Sequence, residues 1–293
     1  MSEVATSAPY KSIWQWMKEV PFTQQYIDVN GVRTRVVTAG DPSKPAVTLL
    51  HGTGGHWEAW APTIPALYEN YFVIAFDYLG CGFTEKPKDQ NWDTWTIAEH
   101  VLGVLDHFGV EKSSFMGLSL GAWVTTRIAL EHPERTEKIV LMSSQGVEAR
   151  AENMERMHRV RTKAVMEADW DSMKAMFDHL ILNDENKIDD IIATRLAVYQ
   201  RDDTRETIGN MLYLPTPEVQ TANLLSPEQW QSIQAPAMVV IASKDIESYD
   251  SDARRIADWL PNGFGFEMET VAHWPNFEEP DIFNPKMLEF LAK

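Results

Sequence analysis

A chain of 293 residues with 44% hydrophobic and 24% charged residues can form one large domain with an inserted subdomain, or two small domains. Its 26 basic and 43 acidic residues give a formal net charge of −17, which repels nucleic acid and anionic lipid surfaces and excludes both as predicted partners. The charge does not exclude a small anionic substrate, because one buried arginine can dominate the local potential.

Several features of the chain favour a cytoplasmic protein. Residues 1–10 lack the basic start and the apolar centre of a signal peptide, and we expect them to form a mobile tail. No segment approaches the roughly 18 uninterrupted apolar residues of a membrane span. The one cysteine, Cys81, excludes an internal disulfide and fits a reducing compartment.

The first 145 residues alternate between strand-like and helix-like patterns. Alternating side chains on both sides of Asn30-Gly31 predict a hairpin, and continuous apolar runs predict buried strands. The predicted strands cover residues 26–29, 34–38, 46–50, 72–76, 114–118 and 139–142. The predicted helices cover residues 94–108 and 120–131. Strands separated by helices indicate parallel pairing with right-handed crossovers, as in an α/β sheet.

This alternation stops at Gly146 and resumes near the end of the chain. The segment from there to Ser226 is rich in methionine and charge, has a helical pattern and contains no strand-length apolar run. Beyond it, strands are predicted at residues 237–242 and 264–270, and helices at residues 252–260 and 277–291. We therefore predict an α/β core formed by residues 1–145 and 227–293, interrupted by an all-helical insertion at residues 146–226.

One short motif, Gly117-Leu118-Ser119-Leu120-Gly121, matches the pattern G-x-S-x-G between a predicted strand and a predicted helix. A serine on such a tight turn takes strained backbone angles, so its flanking positions must lack side chains that would clash. Its hydroxyl then projects at the positive N-terminus of the helix. The motif predicts Ser119 as a nucleophile.

A serine hydroxyl needs a neighbouring base before it can act as a nucleophile. His273 follows the last predicted strand and precedes the last helix, which is where the base belongs in the chain order serine, acid, histidine. We interpret His51, at a strand end, as part of the loop structure, and His56 as a candidate substrate contact. The other histidines are predicted to be structural or exposed, at positions 100, 107, 132, 158 and 179.

The acid that orients the histidine should follow the penultimate strand, where Asp245 lies. It would fix the tautomer of His273 and stabilise the imidazolium. Three further acids are close enough to compete, and a fourth follows an earlier strand, as in some variants of such folds. These alternatives are Glu247, Asp250, Asp252 and Glu148.

The oxyanion hole should combine the backbone N–H of Leu120 with one from the glycine-rich loop at residues 51–55. Thr53 is our choice for the second donor, with Gly54 as the alternative. The loop has no G-K-[ST] ending, and no strand–G-x-G-x-x-G–helix pattern is present, so nucleotide binding is not predicted. No histidine or cysteine spacing suggests a metal. We predict an enzyme with no cofactor and no metal.

Four motifs in this order carry a family resemblance: H-G-T-G-G at 51–55, D-Y-L-G-C-G-F-T at 77–84, G-L-S-L-G at 117–121 and A-H-W-P at 272–275. From about Tyr26 onward the chain resembles the α/β-hydrolase superfamily. The resemblance implies a mostly parallel eight-stranded sheet flanked by helices, with the insertion at 146–226 as a helical lid.

Within that superfamily the chain is similar to the meta-cleavage product hydrolases, which cleave a carbon–carbon bond in 2-hydroxy-6-oxo-hexa-2,4-dienoates during bacterial aromatic degradation. Trp274 follows His273 as in that family, and residues 54–60 resemble the carbazole-type branch. Arg195 matches the lid arginine that binds the carboxylate end of the substrate. We therefore take Gly54, His56, Arg195 and Trp274 as candidate substrate contacts. The resemblance implies a small organic acid with an apolar tail as substrate, and a homodimer.

One residue departs from the family pattern. Many members have asparagine immediately before the nucleophile, where this chain has Leu118. Either the chain belongs to a divergent branch or its substrate is a different acid or ester. A carboxylesterase, lactonase or amidase with the same triad is the alternative function, and a catalytically inactive small-molecule receptor is another. Arg195 has an alternative interpretation as a solvated helix arginine. The serine excludes an aspartate-nucleophile dehalogenase or epoxide hydrolase.

Overall fold

The computed structural model describes residues 11–178, 180–214 and 216–293; the predicted mobile tail and His179 lie outside them. Eight strands of this part form one sheet. They are β1 (Phe22–Val29), β2 (Val32–Ala39), β3 (Ala46–Leu50), β4 (Phe72–Phe76), β5 (Ser113–Leu118), β6 (Thr136–Met142), β7 (Ala237–Ala242) and β8 (Gly263–Met268). Their order is β1-β2-β4-β3-β5-β6-β7-β8. The pairs β1–β2 and β2–β4 are antiparallel and the others are parallel. The predicted fold class is confirmed.

Helices lie between most of the strands and follow the last one. They are α1 (Trp14–Met17), α2 (Ile64–Leu67), α3 (Thr94–His107), α4 (Leu120–Glu131), α5 (Ala151–Glu167), α6 (Trp170–Phe177), α7 (Asp189–Tyr199), α8 (Asp202–Glu206), α9 (Ile208–Met211), α10 (Pro217–Asn223), α11 (Pro227–Ser232), α12 (Glu247–Trp259), α13 (Pro275–Glu278) and α14 (Pro280–Ala292). Short 3₁₀ helices cover Trp57–Trp60, Pro133–Arg135 and Asp184–Asn186. In the described residues no helix is long and apolar enough to span a membrane.

The predicted hairpin is present at Asn30-Gly31. Both residues have positive φ angles, 53° and 85°, as the two-residue turn that suits a twisted antiparallel pair requires. Val29 pairs with Val32 across the turn. β1 begins at Phe22, four residues before the predicted start, because ladder hydrogen bonds to β2 continue where the side chains no longer alternate in polarity.

Three strands and one helix have the bounds that the sequence predicts, whereas β5 begins one residue before its predicted start and β8 ends two residues before its predicted end. β3, β4, β7 and α4 coincide with the predicted segments, because each is a nearly continuous buried apolar run or ends at a proline signal. The prediction of one helix at residues 277–291 is wrong, because this segment is broken into α13 and α14. Pro280 disfavours the helical conformation in the residue before it, and Glu279 takes φ −134° and ψ 65°.

Every described element between β6 and α12, apart from β7, is helical. α5 to α10 lie in the segment predicted as an insertion. Several of its methionines are buried, among them Met154, Met173 and Met176. The description of this segment as a lid, and its bounds at 146 and 226, stay predictions.

Candidate active site

Ser119 stands on a strained turn between β5 and α4. Its backbone angles are φ 56° and ψ −116°, a conformation that residues with a side chain rarely adopt. A Cβ at Gly117 would lie 2.4 Å from the carbonyl oxygen of Gly121, and one at Gly121 would lie 2.1 Å from that of Leu50. The two glycines are therefore required by backbone packing, and this is the steric reason for the motif.

The ring of His273 is hydrogen-bonded to Asp245. The Nδ1 atom lies 2.9 Å from Oδ2 and 3.2 Å from Oδ1 of the carboxylate. Only 8% of the histidine side chain and 2% of the aspartate side chain are exposed, so little water screens this pair. The backbone N–H of Ile246 donates a second hydrogen bond to Asp245 Oδ1 at 2.8 Å. The carboxylate is thus held on two sides.

The side chains of Ser119 and His273 line one cavity. In the described part of the chain no hydrogen bond joins the Ser119 hydroxyl to the His273 ring. Hydrogen bonds between catalytic groups are often long before substrate binds and shorten in the complex. The arrangement is therefore compatible with a nucleophile and a base that engage when the cavity is occupied.

The competing acids make other contacts. Asp250 pairs with Arg254, while Asp252 and Glu148 both pair with Arg150. The Glu247 side chain lies outside the described structure. Of the acids whose side chains are described, Asp245 is the one that contacts the candidate base.

A buried glutamate, which sequence reasoning missed, holds the loop that carries His273. Glu278 accepts hydrogen bonds from the backbone N–H groups of Ala272 at 2.9 Å, Trp274 at 3.3 Å and Leu182 at 2.7 Å. Burial raises the pKa of Glu278, and these N–H groups partly offset that effect. Glu278 is the last residue of α13, one position beyond the place from which a capping glutamate reaches back to the N-cap, so no capping signal identifies it.

The glycine-rich loop after β3 approaches the nucleophile from the other side. A Cβ at Gly52 would lie 3.3 Å from the Cβ of Ser119. Thr53 and Leu120 line one small pocket next to the main cavity. Burial raises the pKa of the Cys81 thiol to about 11, and the nearby backbone N–H of Gly54 partly offsets that effect. Thr53, with Gly54 as the alternative, stays our prediction for the second oxyanion donor.

The two histidines of this loop are buried. His51 stacks on Tyr78 with ring centroids 4.0 Å apart, and its Nδ1 lies 2.8 Å from the carbonyl oxygen of Gly52. His56 was predicted to contact substrate, but its Nδ1 lies 2.9 Å from a carboxylate oxygen of Glu58. Glu58 also pairs with Arg35, so His56 belongs to a buried charge cluster, and it is not among the described residues that line the cavity.

Tyr249 is a second residue that sequence reasoning missed. Its ring meets the His273 ring edge to face, with centroids 4.9 Å apart. The Gln145 side-chain amide donates a hydrogen bond to its hydroxyl oxygen at 2.8 Å. Burial raises the pKa of Tyr249 to about 12. All three side chains line the cavity. No pattern in the polar start of α12 indicates this role.

Arg195 lies on α7 and is 1% exposed, so its interpretation as a solvated arginine is wrong. The guanidinium lies 5.5 Å from the ring centroid of Phe177 and 5.7 Å from that of Tyr199. Its Nε and Nη1 atoms have no hydrogen-bond partner, and no described carboxylate forms an ion pair with it. Burial lowers the pKa of Arg195. Trp274, the other predicted contact, packs edge to face on Phe177 at 5.6 Å and does not line the cavity within the described structure.

A family model described as the alpha/beta hydrolase fold matches residues 45–280. The chain belongs to the α/β-hydrolase family. It is 26% identical to the 2-hydroxy-6-oxo-6-(2'-aminophenyl)hexa-2,4-dienoic acid hydrolase of Metapseudomonas resinovorans over 284 residues, which are 94% of this chain and 93% of that one.

Two solved structures are similar over nearly their whole length. The 2-hydroxy-6-oxo-6-phenylhexa-2,4-dienoate hydrolase from Rhodococcus sp. strain RHA1 has a TM-score of 0.81 and 25% identity, covering 94% of this α/β-hydrolase and 100% of that chain. A serine hydrolase involved in carbazole degradation has a TM-score of 0.72 and 25% identity, covering 93% and 99%. The predicted resemblance to the meta-cleavage product hydrolases is confirmed.

Burial of His51 makes this α/β-hydrolase sensitive to acid. Its pKa is lowered to about 3 in the folded protein, chiefly because burial disfavours the charged ring, whereas an unfolded histidine has a pKa of about 6.5. Between these values the unfolded chain binds more protons, so stability is full above pH ~6.5 and falls as the pH drops towards 3, by up to about 5 kcal/mol.

We expect the free energy of unfolding of His51→Gln, measured in urea at several pH values, to fall less steeply between pH 7 and pH 4 than that of the wild type. His158→Gln, at an exposed position, is the control and should keep the wild-type slope. Equal slopes for all three proteins would contradict the assignment of a neutral buried His51.

Proposed function

We propose that this chain is a hydrolase that cleaves a carbon–carbon bond in 2-hydroxy-6-oxo-hexa-2,4-dienoates, with Ser119, His273 and Asp245 as its catalytic triad. One observation carries the proposal. A serine on a strained turn and a histidine bonded to a buried carboxylate line a single cavity. Arg161 in the lining of this cavity is hydrogen-bonded to Tyr199, against which the buried Arg195 packs without a described acidic partner. The relatives named above, whose names specify such dienoates, support the same reaction.

In this mechanism His273 moves protons and Asp245 sets its tautomer. The carboxylate accepts from Nδ1, which leaves Nε2 to exchange a proton with substrate or with the Ser119 hydroxyl. The dienol is first ketonised by proton transfer through His273. Ser119, or a water that it activates, then adds to the C6 carbonyl as His273 takes the proton, and the bond between C5 and C6 breaks as the dienol fragment leaves with a proton from His273. Where Ser119 is the nucleophile, water then hydrolyses the ester it has formed, so that either route releases C6 as a carboxylic acid.

The negative charge that develops on the C6 oxygen requires donors already in place. We assign the backbone N–H of Leu120, the first residue of α4, and that of Thr53 to this role. The first N–H groups of a helix have no acceptor inside it, so that of Leu120 is available. Each such donor lowers the barrier by about 3 kcal/mol in serine hydrolases.

The acid end of the substrate fits Arg195. A buried guanidinium with two unpartnered nitrogen atoms is costly in the absence of an anion, and a carboxylate would satisfy it with paired, charge-assisted hydrogen bonds. Met154, Met157 and Met176 line the cavity that Ser119 and His273 share and supply adaptable apolar surface for the other end of the substrate. The insertion at 146–226 would then act as a lid.

Two further assignments belong to the same proposal. We place the protein in the cytoplasm, which suits its single buried free thiol, Cys81. The family resemblance also suggests a homodimer.

The test compares a yellow 2-hydroxy-6-oxo-dienoate with a neutral p-nitrophenyl ester by absorbance. We expect fast bleaching of the dienoate and slow ester turnover; the reverse ranking would favour the carboxylesterase, lactonase or amidase alternative.

In Arg195→Met, kcat/KM for the dienoate should fall by about 30- to 100-fold, through the loss of charge-assisted hydrogen bonds of about 2–3 kcal/mol, while ester turnover is unchanged. Equal losses for both substrates would refute the carboxylate role.

A further inference from the structure

Two of the four buried arginines in the described structure have no acidic partner. Arg35 pairs with Glu58 and Asp77, and Arg127 pairs with Glu131. Arg161 and Arg195 are 8% and 1% exposed, and neither forms an ion pair with any described carboxylate. In a chain with 43 acidic residues, two buried arginines without an acidic partner indicate a binding site for an anion.

The two unpaired arginines meet at one tyrosine. Arg161 Nη1 donates a hydrogen bond to the hydroxyl oxygen of Tyr199 at 3.3 Å, and the Arg195 guanidinium lies 5.7 Å from the centroid of the same ring. The positive charge of Arg161 also contributes to the lowered pKa of Arg195. The guanidinium groups are therefore close enough to repel each other. An anion held between them would relieve that repulsion.

This cluster of Arg161, Arg195 and Tyr199 adjoins the loop that faces the nucleophile. A Cβ at Gly54 would lie 2.8 Å from the Tyr199 hydroxyl oxygen and 3.2 Å from Arg161 Nη1. Arg161 lines the cavity together with Ser119 and His273, whereas Arg195 does not. Arg161 is thus the arginine nearer to the reacting centre, and Arg195 lies behind it.

We propose that Arg161 binds a second negative charge at the acid end of the substrate, so that Arg161 and Arg195 together select a dianion. This inference rests on the proposed function for the position of the first carboxylate, at Arg195. Either a second carboxylate or the ionised 2-hydroxyl of the dienoate supplies the second charge. The C2 oxygen lies between the C1 carboxylate and the C6 carbonyl, which matches the place of Arg161 between Arg195 and Ser119.

Binding of three acids with three carbon atoms each distinguishes the effect of a second negative charge from that of an additional hydrogen bond. Propionate carries one carboxylate, lactate adds a neutral 2-hydroxyl, and malonate adds a second carboxylate. By calorimetry on the wild type we expect malonate to bind at least about 10-fold more tightly than propionate or lactate, since a charge-assisted bond is about twice as strong as a neutral one. Equal binding of malonate and propionate, or of malonate and lactate, would overturn the dianion proposal.

Matched variants assign the second charge to its residue. Arg161→Met should bring malonate binding down to the level of propionate and leave propionate nearly unchanged, whereas Arg195→Met should weaken both. Arg161→Lys keeps the charge and serves as a second variant, with an intermediate preference expected. Arg159→Met, at an exposed position on the same helix, should behave as wild type. An unchanged preference in a folded Arg161→Met variant, or complete loss of the preference in a folded Arg161→Lys variant, would refute the assignment.

The absorbance of a dienoate bound to Ser119→Ala distinguishes the two sources of the second charge. A bound enolate absorbs at longer wavelength than the neutral enol. If Ser119→Ala shows the enolate spectrum and the double variant with Arg161→Met loses it, the ionised 2-hydroxyl supplies the second charge. If Ser119→Ala shows the neutral-enol spectrum while the malonate preference is retained, a second carboxylate supplies it. Malonate preference without dienoate cleavage would refute the proposed function alone, and cleavage without that preference would refute this inference alone.

Discussion

Replacement of Ser119 by glycine is expected to abolish turnover and at the same time to stabilise the fold. The φ angle of 56° at this position is strained for serine and open to glycine, and strain of this kind costs about 1–3 kcal/mol. Loss of the nucleophile should lower kcat by about 10⁴-fold or more. Both effects have one origin, because the turn that exposes the hydroxyl is also the source of the strain.

Ser119→Ala is the matched variant for this experiment. It removes the hydroxyl but keeps the Cβ, so it should be equally inactive without the gain in stability. Urea unfolding of the wild type and the two variants measures the free energy of unfolding. We expect this free energy to be about 1 kcal/mol larger for Ser119→Gly than for Ser119→Ala. If the alanine variant were the more stable of the two, the backbone strain at this position would be absent.

The elements around this turn were predictable because their signals are local. The apolar runs of β3 and β5 and the glycines at 117 and 121 fix a buried strand, a tight turn and a helix within a few residues. Chain order then placed His273 and Asp245 after the last two strands. Geometry of this kind follows from topology, since the carboxyl ends of parallel strands lie at one edge of the sheet.

The residues that sequence reasoning missed act across long separations. Glu278 accepts a hydrogen bond from Leu182, which is 96 positions away, and Tyr249 is bonded to Gln145, which is 104 positions away. In the sequence, Arg161 is not distinguishable from any other arginine on a charged helix. It becomes buried only when α7 and the glycine-rich loop pack around it. No local pattern encodes such contacts, because burial and unpaired charge arise only when the elements pack together.

The departure at Leu118 leaves the nucleophile turn intact. The side chain is fully buried at the end of β5, and the steric demands of the turn fall on the glycines at 117 and 121. Position 118 therefore offers no polar group to a substrate. In our proposal the two arginines of the lid supply the polar contacts to the acid end instead.

Replacement of Asp245 by asparagine is expected to lower kcat by about 10³- to 10⁴-fold with little change in KM. The amide has nearly the same shape, but it carries no charge to stabilise an imidazolium. It can also present its N–H₂ to Nδ1, which would move the ring proton to Nε2, the nitrogen that must accept the proton of Ser119.

Asp250→Asn is the matched control, because Asp250 lies in the same segment and pairs with Arg254 at the surface. It should keep nearly full activity, and steady-state kinetics on the dienoate with circular dichroism for the fold measure both variants. A loss of less than about 10-fold in Asp245→Asn would mean that the charge is not needed at this site. The hydrogen bond seen at Nδ1 would then serve only to hold the ring, and the role of acid would have to pass to another carboxylate, such as Glu148.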